Sequence, residues 1–277
     1  MAIGREHLVP EILAAAGHPE VVLVGTHLGV YGQDLGEGAP DLVELVRRVC
    51  TLDAVPRVRL SSVEPCEVSD ALIELVCAGG QAVPPDAARP GAGKLCRHLH
   101  IPLQSGCDAT LARMNRPYDT ALFRELVAAI IAREPRVCIG ADVMTGFPGE
   151  ADAEFAQTLA FVQALPVAYL HVFTYSERPG TAAATMSDQV DHEVRKHRTE
   201  RLRALSAEKA AAFAAAQVGE RLETVVETPR DEAGRLTGIS DNYQRVAFPG
   251  PDDLVGRLLA VEVTSAADEA LVGSLAD

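Results

Sequence analysis

Short runs in which apolar and polar residues alternate are separated along this chain by stretches where apolar residues recur at helical spacing, and that alternation of periods is its main organisation. Runs at 21–24, 57–60, 98–103, 137–144 and 168–173 predict five strands. Between them, 41–50 carries Leu42, Val43, Leu45, Val46 and Val49 on one helical face, and 71–76 is opened by Ser69 and Asp70. Asp108 is placed to cap a short helix through Met114. A longer helix begins at Asp119 or Thr120, presents Leu122, Leu126, Val127 and Ile130 together, and is stopped by Pro135. An amphipathic helix over 151–165 and a long one from about 190 to 217, ending near Gly219, complete the series. A short helical pattern at 6–16 precedes the first strand, and 78–93 is too rich in Gly and Pro for a regular element.

From Glu220 the texture changes to β-rich runs at 222–227, 235–240, 243–248, 254–264 and 271–274, with turn signals such as Asp231-Glu232-Ala233-Gly234 between them. They predict a small five-stranded barrel of the OB-like kind. The expected class is therefore α/β: a partial (β/α) barrel over 1–217, with an insertion near 78–94, and a small all-β domain over 218–277. Right-handed crossovers place every strand-to-helix loop at one end of a parallel sheet.

Those loops are the polar, glycine-bearing exits: Gly25 to Gly32, Ser61-Ser62-Val63-Glu64-Pro65, Gln104-Ser105-Gly106, Thr145 to Glu150 and Thr174 to Thr181. They are expected to line one pocket. Each also has a purely structural use, the glycines in tight turns, Ser62 and Glu64 as helix caps, and Glu150 as a first-turn acid. His98 and His100 share one strand face, but with no Cys, Asp or Glu at matching spacing they read as hydrogen-bonded barrel residues rather than metal ligands.

Composition adds limits. The 277 residues are 48% hydrophobic, enough for a large core, and the N-terminal residues lack a signal peptide's apolar centre, so a soluble, cytoplasmic protein without membrane contact is expected. A net charge of −14 argues against a surface that binds nucleic acid everywhere. It leaves room for one basic track, and Arg195, Lys196, His197, Arg198, Arg201 and Arg203 concentrate positive charge on the long helix. The default for such a run is a solvated face paired with Glu193, Glu200 and Glu208. Six scattered cysteines, with no C-x-x-C or C-x-x-x-C spacing, argue against a local zinc or iron–sulfur motif.

Taken together, Gly25-Thr26-His27-Leu28-Gly29-Val30-Tyr31-Gly32, Arg59 to Pro65, His98 to Gly106, Met114-Asn115-Arg116-Pro117-Tyr118, Gly140 to Glu150 and His171 to Thr181 resemble the radical S-adenosylmethionine methylthiotransferases. The nearest branch modifies threonylcarbamoyladenosine in tRNA, beside the anticodon. The resemblance implies a partial barrel that holds S-adenosyl-L-methionine and a C-terminal TRAM domain that binds RNA. It assigns Gly25, Ser62, Glu64, Gln104 and Ser105 to the methionine and ribose parts, and Val143 and Gly146 to the adenine. Tyr175, Ser176 and Arg178 would face the substrate, with Arg198 and Arg201 on the tRNA side.

The departure concerns the clusters. The family carries a methylthiotransferase domain with three cysteines for one 4Fe-4S cluster, then a C-x-x-x-C-x-x-C run for the S-adenosylmethionine-cleaving cluster, and the 277 residues contain neither. Without three thiolates no cluster delivers the electron that splits the sulfonium bond. The chain is accordingly expected to be a C-terminal portion, lacking the first barrel strand and cluster loop and inactive alone. Its partners would be tRNA and a cluster-bearing N-terminal portion, which a split gene would encode separately; the alternative is a non-catalytic tRNA-binding protein.

Overall fold

A computed structural model describes residues 17–36, 38–79, 93–267 and 270–276. The expected helix at 6–16 and most of the 78–93 loop lie outside them.

Five strands, β1 (Val21–Leu23), β2 (Val58–Leu60), β3 (His98–His100), β4 (Cys138–Thr145) and β5 (Tyr169–Thr174), run parallel. β1 pairs with β2 and β3 to β5 form a second ladder; parallel bridges Val58–Leu95 and Ser62–His100 join the two into one curved surface. Side-chain parity sorts its two faces. Val58, Leu60, Leu99, Ile101, Leu103, Ile139, Ala141, Val143, Leu170 and Val172 face outward and are buried in the main core. Their neighbours in register, Val22 with Arg59, His100 with Gly140, and Asp142 with His171, share the opposite, concave face.

Helices α1 (Leu42–Thr51), α2 (Asp70–Cys77), α3 (Asp108–Arg113), α4 (Thr120–Arg133), α5 (Asp152–Ala164) and α6 (His192–Ala215) surround the outer face. Four begin where a side chain accepts the orphan N–H of the first turn: Asp41 from Glu44 N (2.8 Å), Ser69 from Leu72 N (3.2 Å), Asp119 from Leu122 N (2.8 Å) and Asp191 from Glu193 N (2.8 Å). Asp108 differs from expectation. It is already the first residue of α3, and its carboxylate accepts from Thr120 N at the start of α4 (2.8 Å). On α4 the buried face is Phe123, Leu126, Val127 and Ile130, and Leu122 points outward at 37% exposure.

After α6, strands β6 (Arg221–Glu227), β7 (Leu236–Ser240), β8 (Arg245–Phe248), β9 (Leu258–Ala266) and β10 (Leu271–Leu275) close into a barrel in the order β10-β8-β7-β6-β9. Leu222, Val226, Leu236, Val246, Phe248, Val261, Val263 and Leu271 fill it.

The small barrel docks beneath the N-terminal ends of β2 and β3. Arg57 Nη1 and Nη2 donate to the carbonyls of Glu223 (2.7 Å) and Ile239 (2.9 Å), Arg59 Nη2 donates to Ser240 O (2.9 Å), and Arg97 Nε donates to Asp241 Oδ2 (2.6 Å). Glu20 accepts from both Arg57 (2.6 Å) and Arg59 (2.9 Å). Tyr243, on the β7–β8 turn, stacks on His98 with ring centroids 4.3 Å apart. The turn thus forms the floor of the concave face.

Candidate functional site

The exits meet at the C-terminal end of the sheet as expected, but their side chains do not all turn to one space. Gly25 and Ser62 are exposed; Glu64 is half-buried and pairs with Arg116 (3.4 Å). Gln104 is half-buried in a left-handed conformation (φ 66°) and forms a parallel bridge with Val143. Tyr175 is buried between the edge of Phe147 and the guanidinium of Arg195, 5.3 Å above its ring, and its hydroxyl has no partner. Ser176 and Arg178 are exposed on the loop after β5.

Four expected site residues are engaged in the protein's own packing. Ser105 is fully buried: its hydroxyl bonds with Thr158 Oγ1 (3.1 Å) and accepts from Cys107 N (3.2 Å), so it ties the β3 exit to α5 rather than facing a ligand. Val143 belongs to the outer core by parity and is also fully buried. Gly146 donates to Glu150 Oε1 (3.0 Å), and the stem of Arg195 fills the space a side chain would need. Arg198 is 4% exposed, bonded to Glu150 Oε1 (2.6 Å) and Asp152 Oδ1 (2.7 Å), and is therefore an internal cation rather than part of a basic track. Arg201 remains exposed, its guanidinium 5.3 Å from the Phe155 ring.

Gly146 has φ +72°, a conformation that L side chains adopt with strain. A Gly146→Ala change adds that strain to the collision with Arg195, and is expected to destabilise the chain by about 1 to 3 kcal/mol in denaturant unfolding.

The chemistry-bearing cluster lies lower, on the concave face. His98 Nε2 and His100 Nδ1 both reach the Tyr169 hydroxyl, at 2.9 and 3.2 Å, while His100 Nε2 meets Asp142 Oδ1 at 2.8 Å. His171 Nδ1 lies 3.6 Å from the same carboxylate oxygen. Gly140 makes this possible, since the Tyr169 ring occupies the place of its missing side chain. Burial, followed by the charge of Arg59, holds His98 well below its ordinary pKa and hence neutral. Burial and the neighbouring His100 lower His171 against the pull of Asp142. Burial raises the Tyr169 phenol, which stays protonated as a hydrogen-bond donor.

Asp142, Tyr169, His171 and Tyr243 join the cluster without being among the residues the loops predict. The first three were signalled by polar residues at concave parity inside apolar runs; Tyr243 arrives from the small barrel and had no local signal.

Above this cluster the concave face is open and partly apolar, with Val22 47%, Val24 75% and Phe173 49% exposed, and with the buried Ser61 hydroxyl lacking a partner. Exposed apolar surface beside an unsatisfied hydroxyl suits a ligand carrying both a ring and polar groups, as S-adenosylmethionine does. The thiols do not suit an iron–sulfur cluster. Cys77, Cys96, Cys107 and Cys138 are buried, and among the described residues no three cysteines converge. Burial pushes the Cys50 thiol up to about 11 and raises Cys66, Cys96 and Cys138 as well, against the thiolate form a cluster requires.

A curved parallel sheet with a polar concave face, its base closed by a five-stranded barrel, defines the class, and similar proteins refine it. In fold the chain resembles coproporphyrinogen III oxidase (HemN) from Escherichia coli, a radical SAM enzyme, with TM-score 0.51 and 13% identity over 98% of this chain and 65% of that one. In sequence it is 37% identical to the threonylcarbamoyladenosine tRNA methylthiotransferase MtaB of Bacillus subtilis over 92% of its length. It is 34% identical to the tRNA-2-methylthio-N(6)-dimethylallyladenosine synthase of Desulfitobacterium hafniense over 97%. No family model matches. The chain spans 54% and 58% of those two relatives, about half their length. Over that half, the chain is similar to a tRNA methylthiotransferase and to a tRNA-2-methylthio synthase.

Proposed function

We propose that this chain is the portion of a tRNA methylthiotransferase that holds S-adenosylmethionine and tRNA, acting in the 2-methylthiolation of N6-threonylcarbamoyladenosine beside the anticodon. The observation that carries this reading is the 37% identity to MtaB across nearly the whole chain. In this reading Val22, Val24 and Phe173 cover the apolar parts of the nucleoside, and the Ser61 and Ser62 hydroxyls, the Gly25 backbone and Gln104 take its polar groups. Glu64 stands beside them at the rim. The chemistry that such a group supplies is a carbon radical that abstracts hydrogen from an adenine C–H before sulfur is inserted. Ser176 and Arg178 border the substrate side, the closed barrel serves as the OB-like TRAM domain for RNA, and the protein works in the cytoplasm, where tRNA is found.

The residues do not fit a 4Fe-4S cluster, so its ligands are assigned to chain outside these 277 residues, continuous with them or separately encoded, and turnover by this chain alone is not expected. No described helix is long and apolar enough to cross a membrane. The second reading, a tRNA-binding protein without catalysis, rests on the same missing cysteine motif.

Equilibrium dialysis with labelled S-adenosylmethionine tests the first reading. Saturable binding is expected, weakened about tenfold or more by Val24→Asp, which sets a charge against the apolar wall. Retained tRNA binding without S-adenosylmethionine binding would favour the second reading. Anaerobic treatment with iron and sulfide is expected to leave no stable 4Fe-4S absorption; a stable spectrum would overturn the assignment of the cluster to other chain.

A further inference from the structure

We propose that His100, Asp142 and His171 form a binding site for one divalent transition-metal ion of the zinc class on the concave face. The three side chains come from three adjacent parallel strands, and register fixes their approach: His100 stands opposite Gly140 on β4, and Asp142 stands opposite His171 on β5. One ligand atom from each lies within 4.8 Å of the others, and among the described residues this is the one group of three such side chains so disposed. The site is distinct from the iron–sulfur chemistry of the family and does not depend on the functional reading above.

The spacing of the three ligand atoms is close to that of ligands around one ion. Tetrahedral ligands at zinc bond lengths stand about 3.3 Å apart, and Asp142 Oδ1 is 2.8 Å from His100 Nε2 and 3.6 Å from His171 Nδ1. Binding lengthens the first distance by a small shift of the Asp142 carboxylate and shortens the second by a small rotation of the half-exposed His171. Two imidazoles and one carboxylate suit zinc, cobalt, nickel or iron(II), whereas magnesium and calcium call for oxygen ligands. His171 is 52% exposed at its side chain, so an ion here keeps a coordination position open to solvent.

The surroundings supply the support that a metal-bound histidine needs. For Nε2 of His100 to bind a cation its proton must move to Nδ1, which then donates to the Tyr169 hydroxyl at 3.2 Å. Tyr169 in turn donates to His98 Nε2 at 2.9 Å, and His98 then carries its proton on Nδ1, the buried atom that has no partner. The change is a shift of tautomers along the chain, with no net gain or loss of protons. Stacking of Tyr243 on His98 holds the far end of that chain in place.

The test uses the untagged 277-residue protein, stripped with chelator and titrated with Zn2+ by calorimetry and with Co2+ by visible absorption. One ion per chain is expected, with a cobalt spectrum of nitrogen and oxygen ligands and no sulfur charge-transfer band. His171→Ala and Asp142→Asn should each weaken binding about 100-fold or more, and Tyr169→Phe, which removes the hydroxyl shared by His100 and His98 but no ligand atom, about tenfold. His192→Ala, an exposed histidine on α6, should leave it unchanged. His171 is partly exposed, so its variant remains informative if Asp142→Asn misfolds. Absence of binding, binding that survives His171→Ala, or a sulfur charge-transfer band would each overturn the site.

Discussion

Replacing Glu20 with glutamine is expected to destabilise the chain by about 3 kcal/mol or more, because two buried guanidiniums then lose their shared counter-charge. Arg57 is 1% and Arg59 5% exposed, and Glu20 bridges them at 2.6 and 2.9 Å. Their remaining donors are spent on carbonyls of the small barrel, so the loss falls on the junction between the curved sheet and that barrel. Glutamine keeps an acceptor but not the charge, which sets the change at the low end of roughly 3 to 5 kcal/mol. In thermal unfolding this corresponds to a midpoint lowered by roughly 6 to 12 °C.

The pH dependence carries a definite sign. Burial alone would raise the Glu20 carboxyl, but the hydrogen bonds and charges of Arg59 and Arg57 outweigh it and hold the group below the ordinary carboxylate range. Stability from Glu20 is therefore fully present above that range and is lost as pH falls through the folded value. Denaturant titrations should show the gap between parent and Glu20→Gln closing on acidification. A gap that stays constant from neutral to acid pH would remove Glu20 as the counter-charge.

Much of this arrangement could be read from residue spacing, and the failures have identifiable causes. The five parallel strands and the helix starts at Asp41, Ser69 and Asp119 are local, since period and cap lie within a few residues of each other. Val143 is assigned to the ligand by resemblance, yet its parity continues Ile139 and Ala141 in the buried core. Strand parity places Asp142, the one charged residue of 137–144, on the same face as His100. Gln104, with its left-handed backbone, marks where the alternation ends. What spacing could not supply was long-range: the docking of Tyr243 and of the carbonyls of Glu223, Ile239 and Ser240 onto the sheet's base depends on a domain more than a hundred residues away.

Arg198 shows the same limit most sharply, and substitutions on α6 should separate it from its neighbour. In sequence Arg198 and Arg201 look equivalent, two cations in one run on a helix. In the fold Arg198 shares the buried stripe of Thr199 and Leu202 and meets Glu150, whereas Arg201 is exposed. Arg198→Glu sets a carboxylate against Glu150 and Asp152 in a buried place, and a loss of about 3 to 5 kcal/mol or more is expected. Arg201→Glu should change stability by less than about 0.5 kcal/mol, as an exposed charge does. If α6 lies on the tRNA surface, Arg201→Glu lowers affinity at low salt and reduces the slope of log affinity against log salt by about one phosphate contact. A weakened Arg198→Glu variant therefore reports on folding, and the RNA contact must be read from Arg201, Lys196 and Arg203, the exposed cations of the helix. Unchanged tRNA affinity across all three would take α6 out of the proposed interface.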